Sequence, residues 1–371
     1  MPRITRHYDW VFLLPHQSVI MFHMENTKKI KVAINGFGRI GRAFMRLAYA
    51  QYSNIDIVAI NDLGDIKNLA YLLQYDSAQG PSGLEITTSD DGAHLFVNGK
   101  DVRVLSEREP QNLPWGEMNV DVVIESTGFF VKYDLAALHL DAGAKKVIIS
   151  GPAKGESRPG IAAATGIMGV NDEVIKTCQI TSNGSCTTNA SSTLAQILKD
   201  SIGIEKALLN TTHGYTSTQS IVDGPVRGGD FRKGRAAAQN IIPTSTGAAV
   251  AVTLAIPDLV GKFDGIACRV PVVSGSIADI TFISTRDTNV EEVNQILRDA
   301  AKNPRYAGIF TVTEEPIVSS DIIGNTHASI ADLPMTRVVG GNLVKVMAWY
   351  DNEMGYTNTL IRHTIETAKS L

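Results

Sequence analysis

At 371 residues, with a net charge of −4 and 44% hydrophobic residues, the chain is long enough for about two domains with real cores, and it has no charge excess that would recommend a nucleic acid or an anionic membrane as partner. Three cysteines cannot form a disulfide framework, and without a C-x-x-C spacing they suggest neither zinc nor a redox pair, which points to a reducing cytoplasm. No stretch approaches the roughly 20 apolar residues of a membrane helix. No two histidines are spaced as metal ligands, so no metal is expected.

In residues 1–28 the apolar run Trp10-Val11-Phe12-Leu13-Leu14 is short, Pro15 breaks it, and no small-residue cleavage site follows. The segment is read as a disordered extension ahead of a start at Met21 or Met24. Residues 30–35 (Ile-Lys-Val-Ala-Ile-Asn) then predict a strand. Gly36-Phe37-Gly38-Arg39-Ile40-Gly41 follows without a gap, and residues 42–49 have helical composition. A G-x-G-x-x-G run between strand and helix allows a tight turn and lets a pyrophosphate rest on the helix N-terminus. The next strand, residues 55–60, ends at Asn61-Asp62, about twenty residues past Gly41, where a carboxylate would hold an NAD ribose and repel the 2′-phosphate of NADP. The alternative is that Asp62 only caps a turn.

Residues 83–104 alternate polar and apolar around Asn98-Gly99 and predict hairpin strands. Two further strands, residues 120–124 and 146–149, lead into the small residues Ser126-Thr127-Gly128 and Ser150-Gly151, with a helix predicted over 135–142 between them. Beyond residue 186 strand-like runs recur at 207–210, 266–273, 277–284 and 343–349, with a helix over 290–302 and a closing amphipathic helix over 354–369. This organisation predicts an α/β fold: a doubly wound parallel sheet of Rossmann type, then an α+β domain with a mostly antiparallel sheet.

The chemistry is expected at Cys186. It sits in Ser182-Asn183-Gly184-Ser185-Cys186-Thr187-Thr188-Asn189, just before an apolar helical stretch, and a thiol at a helix entrance is expected to have its pKa pulled down. Cys178 and Cys268 lie in strand-like runs and read as small core residues. His213, in Thr211-Thr212-His213-Gly214-Tyr215-Thr216, offers an imidazole at a strand end, so the pair predicts covalent catalysis with a base.

These motifs resemble the phosphorylating glyceraldehyde-3-phosphate dehydrogenase family over residues 31–371. The resemblance rests on residues 35–41, Tyr75-Asp76-Ser77, Glu125-Ser126-Thr127-Gly128, residues 185–189, Arg235 through Ala249, Arg269-Val270-Pro271 and Trp349-Tyr350-Asp351-Asn352-Glu353. It implies an NAD-binding domain over 29–185, a catalytic domain over 186–352 and a C-terminal helix, 353–371, packing back on the first domain. It further implies oxidation of glyceraldehyde 3-phosphate to an acyl phosphate through a thioester on Cys186, with His213 as base, and a homotetramer. Gly36, Gly38, Arg39, Ile40, Gly41, Asp62, Ser126, Thr127, Gly128 and Ser150 would bind NAD, with Asn352 on the carboxamide and Tyr356 behind it. Thr216 and Arg269 would hold the substrate phosphate, with Ser185, Thr187, Thr246 and Gly247 around the incoming phosphate and Lys233 nearby. The bare residues also allow a helix cap at Thr246, a strand-surface charge at Arg269 and a turn at Asn352. The chain departs from the family pattern at Ala190, Ser217, Thr218, Lys233 and Val250. Erythrose-4-phosphate dehydrogenase and a non-catalytic NAD-binding scaffold are the alternative readings.

Overall fold

The computed structural model describes residues 29–226 and 229–371; the expectation for residues 1–28 lies outside the described residues. The first half is built on a nine-stranded sheet. Its strands are β1 (Ile30–Asn35), β2 (Ile55–Asn61), β3 (Ile86–Thr88), β4 (His94–Val97), β5 (Lys100–Leu105), β6 (Val122–Glu125), β7 (Lys146–Ile149), β8 (Ala163–Thr165) and β9 (Ile180–Ser182). They lie in the order β3-β4-β5-β2-β1-β6-β7-β9-β8. All pairs are parallel except the two of the β3-β4-β5 hairpins. β6 and β7 are buried throughout, which is why they read as continuous Val and Ile runs rather than alternating ones. The chain leaves β1 toward β2 on one side and later returns to β6 on the other, so the carboxyl ends of β1 and β6 form the switch point where an open α/β sheet receives its ligand. The hairpin turn is at Asn98-Gly99, both with positive φ (49° and 75°), as an I′ turn requires.

Five helices accompany this sheet: α1 (Arg39–Gln51), α2 (Ile66–Gln74), α3 (Tyr133–Ala136), α4 (Leu138–Asp141) and α5 (Glu173–Thr177). The single helix predicted over 135–142 is instead α3 and α4. Ala137 between them keeps helical dihedrals (φ −61°, ψ −19°), so the two turns run on as one irregular segment.

The second half carries β10 (Lys206–Gly214), β11 (Ile242–Ser245), β12 (Phe263–Val270), β13 (Ser276–Ile283), β14 (Phe310–Thr313), β15 (Ser329–Asp332), β16 (Arg337–Val339) and β17 (Leu343–Tyr350). The order is β11-β12-β10-β13-β17-β15-β14, with β16 on β17. This sheet is mixed: β10 runs parallel to β12, and β14 parallel to β15, among antiparallel neighbours. Helices α6 (Cys186–Ser201), α7 (Ala248–Ala255) and α8 (Val290–Lys302) supply much of its core. The ends of α8 match the sequence prediction because its signals are local. Asn289 accepts from Glu292 N at 3.0 Å, and Glu291 and Glu292 occupy the first turn, where negative charge suits the helix dipole.

The last helix, α9 (Met354–Ala368), returns to the first half. It buries Tyr356, Leu360 and Ile361 in the cluster that contains Ile34, Phe44 and Leu47. At about 1.5–3 kcal/mol for each fully buried large apolar side chain, this contact ties the two ends of the described chain together. Among the described residues no helix is long and apolar enough to cross a membrane.

Candidate active site

Cys186 opens α6, between the two large apolar clusters and packed against both. The helix starts there because Ser185 and Thr188 form a capping box: Ser185 Oγ accepts from Thr188 N at 3.0 Å, and Thr188 Oγ1 accepts from Ser185 N at 3.1 Å. The Ser185 hydroxyl is therefore occupied in the helix cap. Strand alternation turns Ala207, Leu209, Thr211 and His213 of β10 to the buried face, which brings His213 Nε2 to 3.3 Å from Cys186 Sγ.

Behind the pair stands Tyr350, fully buried at the end of β17. Its hydroxyl is hydrogen-bonded to Thr187 Oγ1 (2.8 Å) and Thr211 Oγ1 (2.7 Å), and its ring meets the imidazole edge-on at 5.9 Å between centroids. Sequence reading gave Tyr350 no role. The available signal was the alternation of β17, which buries Val344, Val346, Ala348 and then Tyr350.

His213 and Arg269 are in register on the parallel neighbours β10 and β12, so their side chains leave the sheet on the same side. Arg269 Nη1 lies 2.7 Å from His213 Nδ1 and donates to Gly214 O at 3.0 Å; Nδ1 is also 2.6 Å from that carbonyl. Burial lowers the imidazole pKa to about 3, and the neighbouring guanidinium pushes in the same direction. The thiol corrects the sequence expectation. Burial pushes Cys186 up, outweighing the pull of the Arg269 charge and of the Thr187 N–H and hydroxyl. Helix-entrance stabilisation of a thiolate is thus present but is overcome by desolvation. The result is a site set for a thiol beside a neutral imidazole.

The remaining expected phosphate residues are more dispersed. Thr187 faces inward to Tyr350. Thr216, on the loop after β10, pairs its hydroxyl with Thr218 Oγ1 at 3.0 Å. Thr246 Oγ1 accepts from Ala248 N at 3.1 Å, so it and Gly247 stand at the start of α7. Lys233 contributes its backbone carbonyl to Ser220 N at 3.0 Å. Among the described residues no hydrogen bond ties Thr216, Thr246, Gly247 or Lys233 to the thiol, the imidazole or the guanidinium.

At the switch point, Gly36 has φ +95°, and a Cβ there would lie 2.6 Å from Thr127 N. A Cβ at Gly41 would collide with Gly36 O. Gly38 and Gly128, by contrast, face open space. Gly38 offers α1 no side-chain cap, leaving the first-turn N–H groups available to an anion; Ile40 in that turn packs on the first core. Asp62 accepts from Phe37 N at 2.7 Å and from Gly64 N at 2.8 Å, which fixes a carboxylate beside the glycine turn. This donor and acceptor set fits a dinucleotide. Ser126 Oγ donates to Gly36 O at 2.6 Å, and Ser150 N donates to Glu125 O at 2.8 Å. Arg39 is not a free cation: its guanidinium is held by Glu353 and Asp76, whose charges outweigh burial and raise its pKa. It therefore joins the glycine turn to the segment holding Asn352.

Asn352 Oδ1 accepts from Gly275 N (3.1 Å) and Ser276 Oγ (3.0 Å), which aims its amide donors elsewhere. Asp351 beside it is fully buried. It accepts from Ser274 Oγ, Glu353 N, Met354 N, Gln79 Nε2 and Gly324 N at 2.8–3.1 Å. Tyr356 donates to Gly184 O at 3.2 Å, just before the thiol. Beneath the cofactor turn lies one further group, Glu125, 2% exposed. It accepts from Asn35 Nδ2 (2.5 Å), Thr127 N (2.8 Å), the Thr127 hydroxyl and His139 Nε2 (3.1 Å), while Trp115 Nε1 donates to the other ring nitrogen of His139 at 3.0 Å. The partners of Glu125 and His139 lie far apart in sequence, which hides this group from sequence reading.

A doubly wound sheet with a glycine turn, joined to a mixed sheet that sets a thiol against an imidazole, defines the chain as a dinucleotide-dependent oxidoreductase. Its residues 30–133 match the NAD binding domain, and residues 185–352 the C-terminal domain, of glyceraldehyde 3-phosphate dehydrogenase. It is 46% identical over 343 residues to glyceraldehyde-3-phosphate dehydrogenase of Clostridium acetobutylicum (91% of this chain, 98% of that protein). It is 47% identical over 334 residues to glyceraldehyde-3-phosphate dehydrogenase 1 of Bacillus subtilis (90% and 96%) and 46% identical over 344 residues to the Streptomyces coelicolor enzyme (92% and 99%). The chain belongs to the glyceraldehyde-3-phosphate dehydrogenase family, and its cofactor is NAD.

Proposed function

We propose that this protein oxidises glyceraldehyde 3-phosphate, with NAD and inorganic phosphate, to 1,3-bisphosphoglycerate through an acyl thioester on Cys186. The observation that carries the reading is the 3.3 Å approach of Cys186 Sγ to His213 Nε2 at the entrance of α6, beside Arg269 and joined to an NAD-binding half. Sulfur adds to the aldehyde carbon while the thiol proton passes, by way of Nε2, to the carbonyl oxygen. Developing charge on that oxygen is favoured by the first N–H groups of α6. Bound NAD supplies the hydride acceptor. As hydride leaves the carbon, Nε2 takes the hydroxyl proton and the thioester forms; the neutral state of the buried ring suits it to this step. Phosphate oxygen then attacks the thioester carbon, and sulfur leaves and regains a proton.

In this reading Arg269 and Thr216 hold the substrate phosphate. Thr187, Thr246, Gly247 and the first turn of α6 receive the second phosphate, with Lys233 adding positive charge at longer range. Asn352 and the residues around Gly36 orient the cofactor. Residues 29–185 and 186–352 act as separate cofactor and catalytic domains. The exposed apolar side chains Leu208, Ile266, Val250 and Leu254 in the second half support self-association, in keeping with a homotetramer, and the site of action is the cytoplasm. The test is NADH formation from glyceraldehyde 3-phosphate with and without phosphate or arsenate, repeated with erythrose 4-phosphate. Strict anion dependence with the triose is expected. Anion-independent turnover of the tetrose would replace this reading with the hydrolytic one.

A further inference from the structure

Asn183, which leads into the thiol-bearing helix, is fully buried, and each of its polar atoms is committed. Its N–H donates to Ile149 O at 3.0 Å, its carbonyl accepts from Asn189 Nδ2 at 2.8 Å, and its side chain is held by α9. His363 and Thr359, one turn apart on that helix and so on the same face, reach the amide from its two ends. Nδ2 lies 3.2 Å from Thr359 Oγ1, and Oδ1 lies 3.1 Å from His363 Nδ1. The roles follow by elimination. Thr359 gives its single hydroxyl proton to Tyr356 O at 2.8 Å, so toward Asn183 it accepts, and the amide end facing it is the NH2. The carbonyl end then faces His363, whose Nδ1 must carry the ring proton. Burial lowers the pKa of this ring to about 3, so it is neutral, and its bare Nε2 accepts from the Thr181 hydroxyl at 2.7 Å. All four side chains belong to residues no more than 1% exposed, where a lost bond is not replaced by solvent.

We infer that His363 is a positioning residue for the reaction: together with Thr359 it fixes Asn183, and with it the chain entering α6 at Cys186, to the helix that begins beside the cofactor. Asn352, assigned to the nicotinamide carboxamide, stands just before α9, and Tyr356 in the first turn of that helix donates to Gly184 O at 3.2 Å. One end of α9 therefore follows the residue that orients the cofactor, while one of its faces carries the ties to the nucleophile loop. The separation between sulfur and hydride acceptor is thus set through one rigid element. His363 is hydrogen-bonded to neither the thiol nor the imidazole at 213, so its action passes through Asn183. The inference rests on the reaction under Proposed function and adds to it a residue that aims the nucleophile.

Steady-state kinetics of the full chain with NAD, glyceraldehyde 3-phosphate and phosphate test it, well below the melting temperature of each variant. His363→Leu keeps the apolar bulk and removes the donor to Asn183 Oδ1. Its kcat is expected to fall by about 10–10²-fold, the cost of misplacing a reacting group by up to about 1 Å, with KM for NAD near wild type. His363→Asn, whose Nδ2 stands as many bonds from the backbone as Nδ1 of the ring, restores the donor and is expected to recover most of the loss. Thr359→Val acts on the other end of the amide and is expected to lower kcat in the same way; it decides the matter should His363→Leu fail to fold. A wild-type kcat in His363→Leu, or in Thr359→Val where that variant decides, overturns the assignment. So does an equal loss in His363→Leu and His363→Asn, or a loss confined to melting temperature and KM for NAD. Absence of triose turnover in the wild type removes the proposed reaction and this inference with it, whereas a working wild type beside an unaffected His363→Leu removes the inference alone.

Discussion

The two halves of the molecule treat buried polar groups in opposite ways. Under the cofactor turn, the Glu125 carboxylate has Asn35, His139 and both Thr127 donors around it; each partner is in turn engaged, and the glycine turn above fits only one backbone path. Around Cys186, a thiol pushed up by burial, an imidazole pushed down and an arginine stand together, and among the described residues no carboxylate is hydrogen-bonded to the ring. The first arrangement is satisfied and rigid, as holding a ligand requires. The second is short of compensation, as proton and acyl transfer require.

Removal of the reactive groups sharpens this contrast most. Cys186→Ala is expected to lower kcat by at least about 10⁴-fold while leaving NAD affinity and thermal stability near wild type, read by turnover, cofactor titration and a melting scan. His213→Gln is expected to cost about 10²–10⁴-fold in kcat, also with little effect on cofactor binding. On the other side, Glu125→Ala strips a buried acceptor from four donors, and each donor left unpaired costs about 1–3 kcal/mol. A marked fall in melting temperature and a higher KM for NAD are expected, with kcat at saturating cofactor far less affected. If Glu125→Ala instead lowered kcat alone, the two halves would not differ as described. Gly36→Ala, at φ +95° and 2.6 Å from Thr127 N, is expected to weaken NAD binding and to lose about 1–3 kcal/mol of stability.

At neutral pH the effect that costs least is titration of the buried rings, which shows only in acid. His213 and His363 are both buried, with pKa values lowered from 6.5 to about 3. Below pH 6.5 the unfolded chain takes up protons that the folded chain refuses, so stability falls as pH drops from about 6.5 toward 3, by up to about 1.4 kcal/mol per pH unit for each ring. His363→Gln should flatten that slope by one ring's share, measured by denaturant unfolding at a series of pH values; an unchanged slope would show that the ring is charged in the fold.

What was legible in the sequence was local. The helical pattern over 290–302, the Asn98-Gly99 turn, the glycine fingerprint and the helix entrance at Cys186 each put cause and consequence within a few residues, so α8, the hairpin and α6 could be read directly. The parallel pairing of β10 with β12 could not, since strand composition does not reveal direction. Nor could the state of the thiol: helix position was visible but burial was not, and burial decides the sign. The same holds for Arg39. Its place in the fingerprint is visible, but Glu353, which holds its side chain, lies 314 residues away. Glu125, His139, Asp351 and Tyr350 share this character, because their functional meaning lies in partners that only the fold assembles.

The most direct measurement is peptide mass spectrometry of the enzyme mixed with NAD and glyceraldehyde 3-phosphate in the absence of phosphate, quenched in acid. The expected result is one phosphoglyceroyl group per chain, on Cys186 alone, with an equal burst of NADH and its discharge on adding phosphate. NADH formation with Cys186 unmodified, or acylation at Cys178 or Cys268 instead, would contradict covalent chemistry at the entrance of α6.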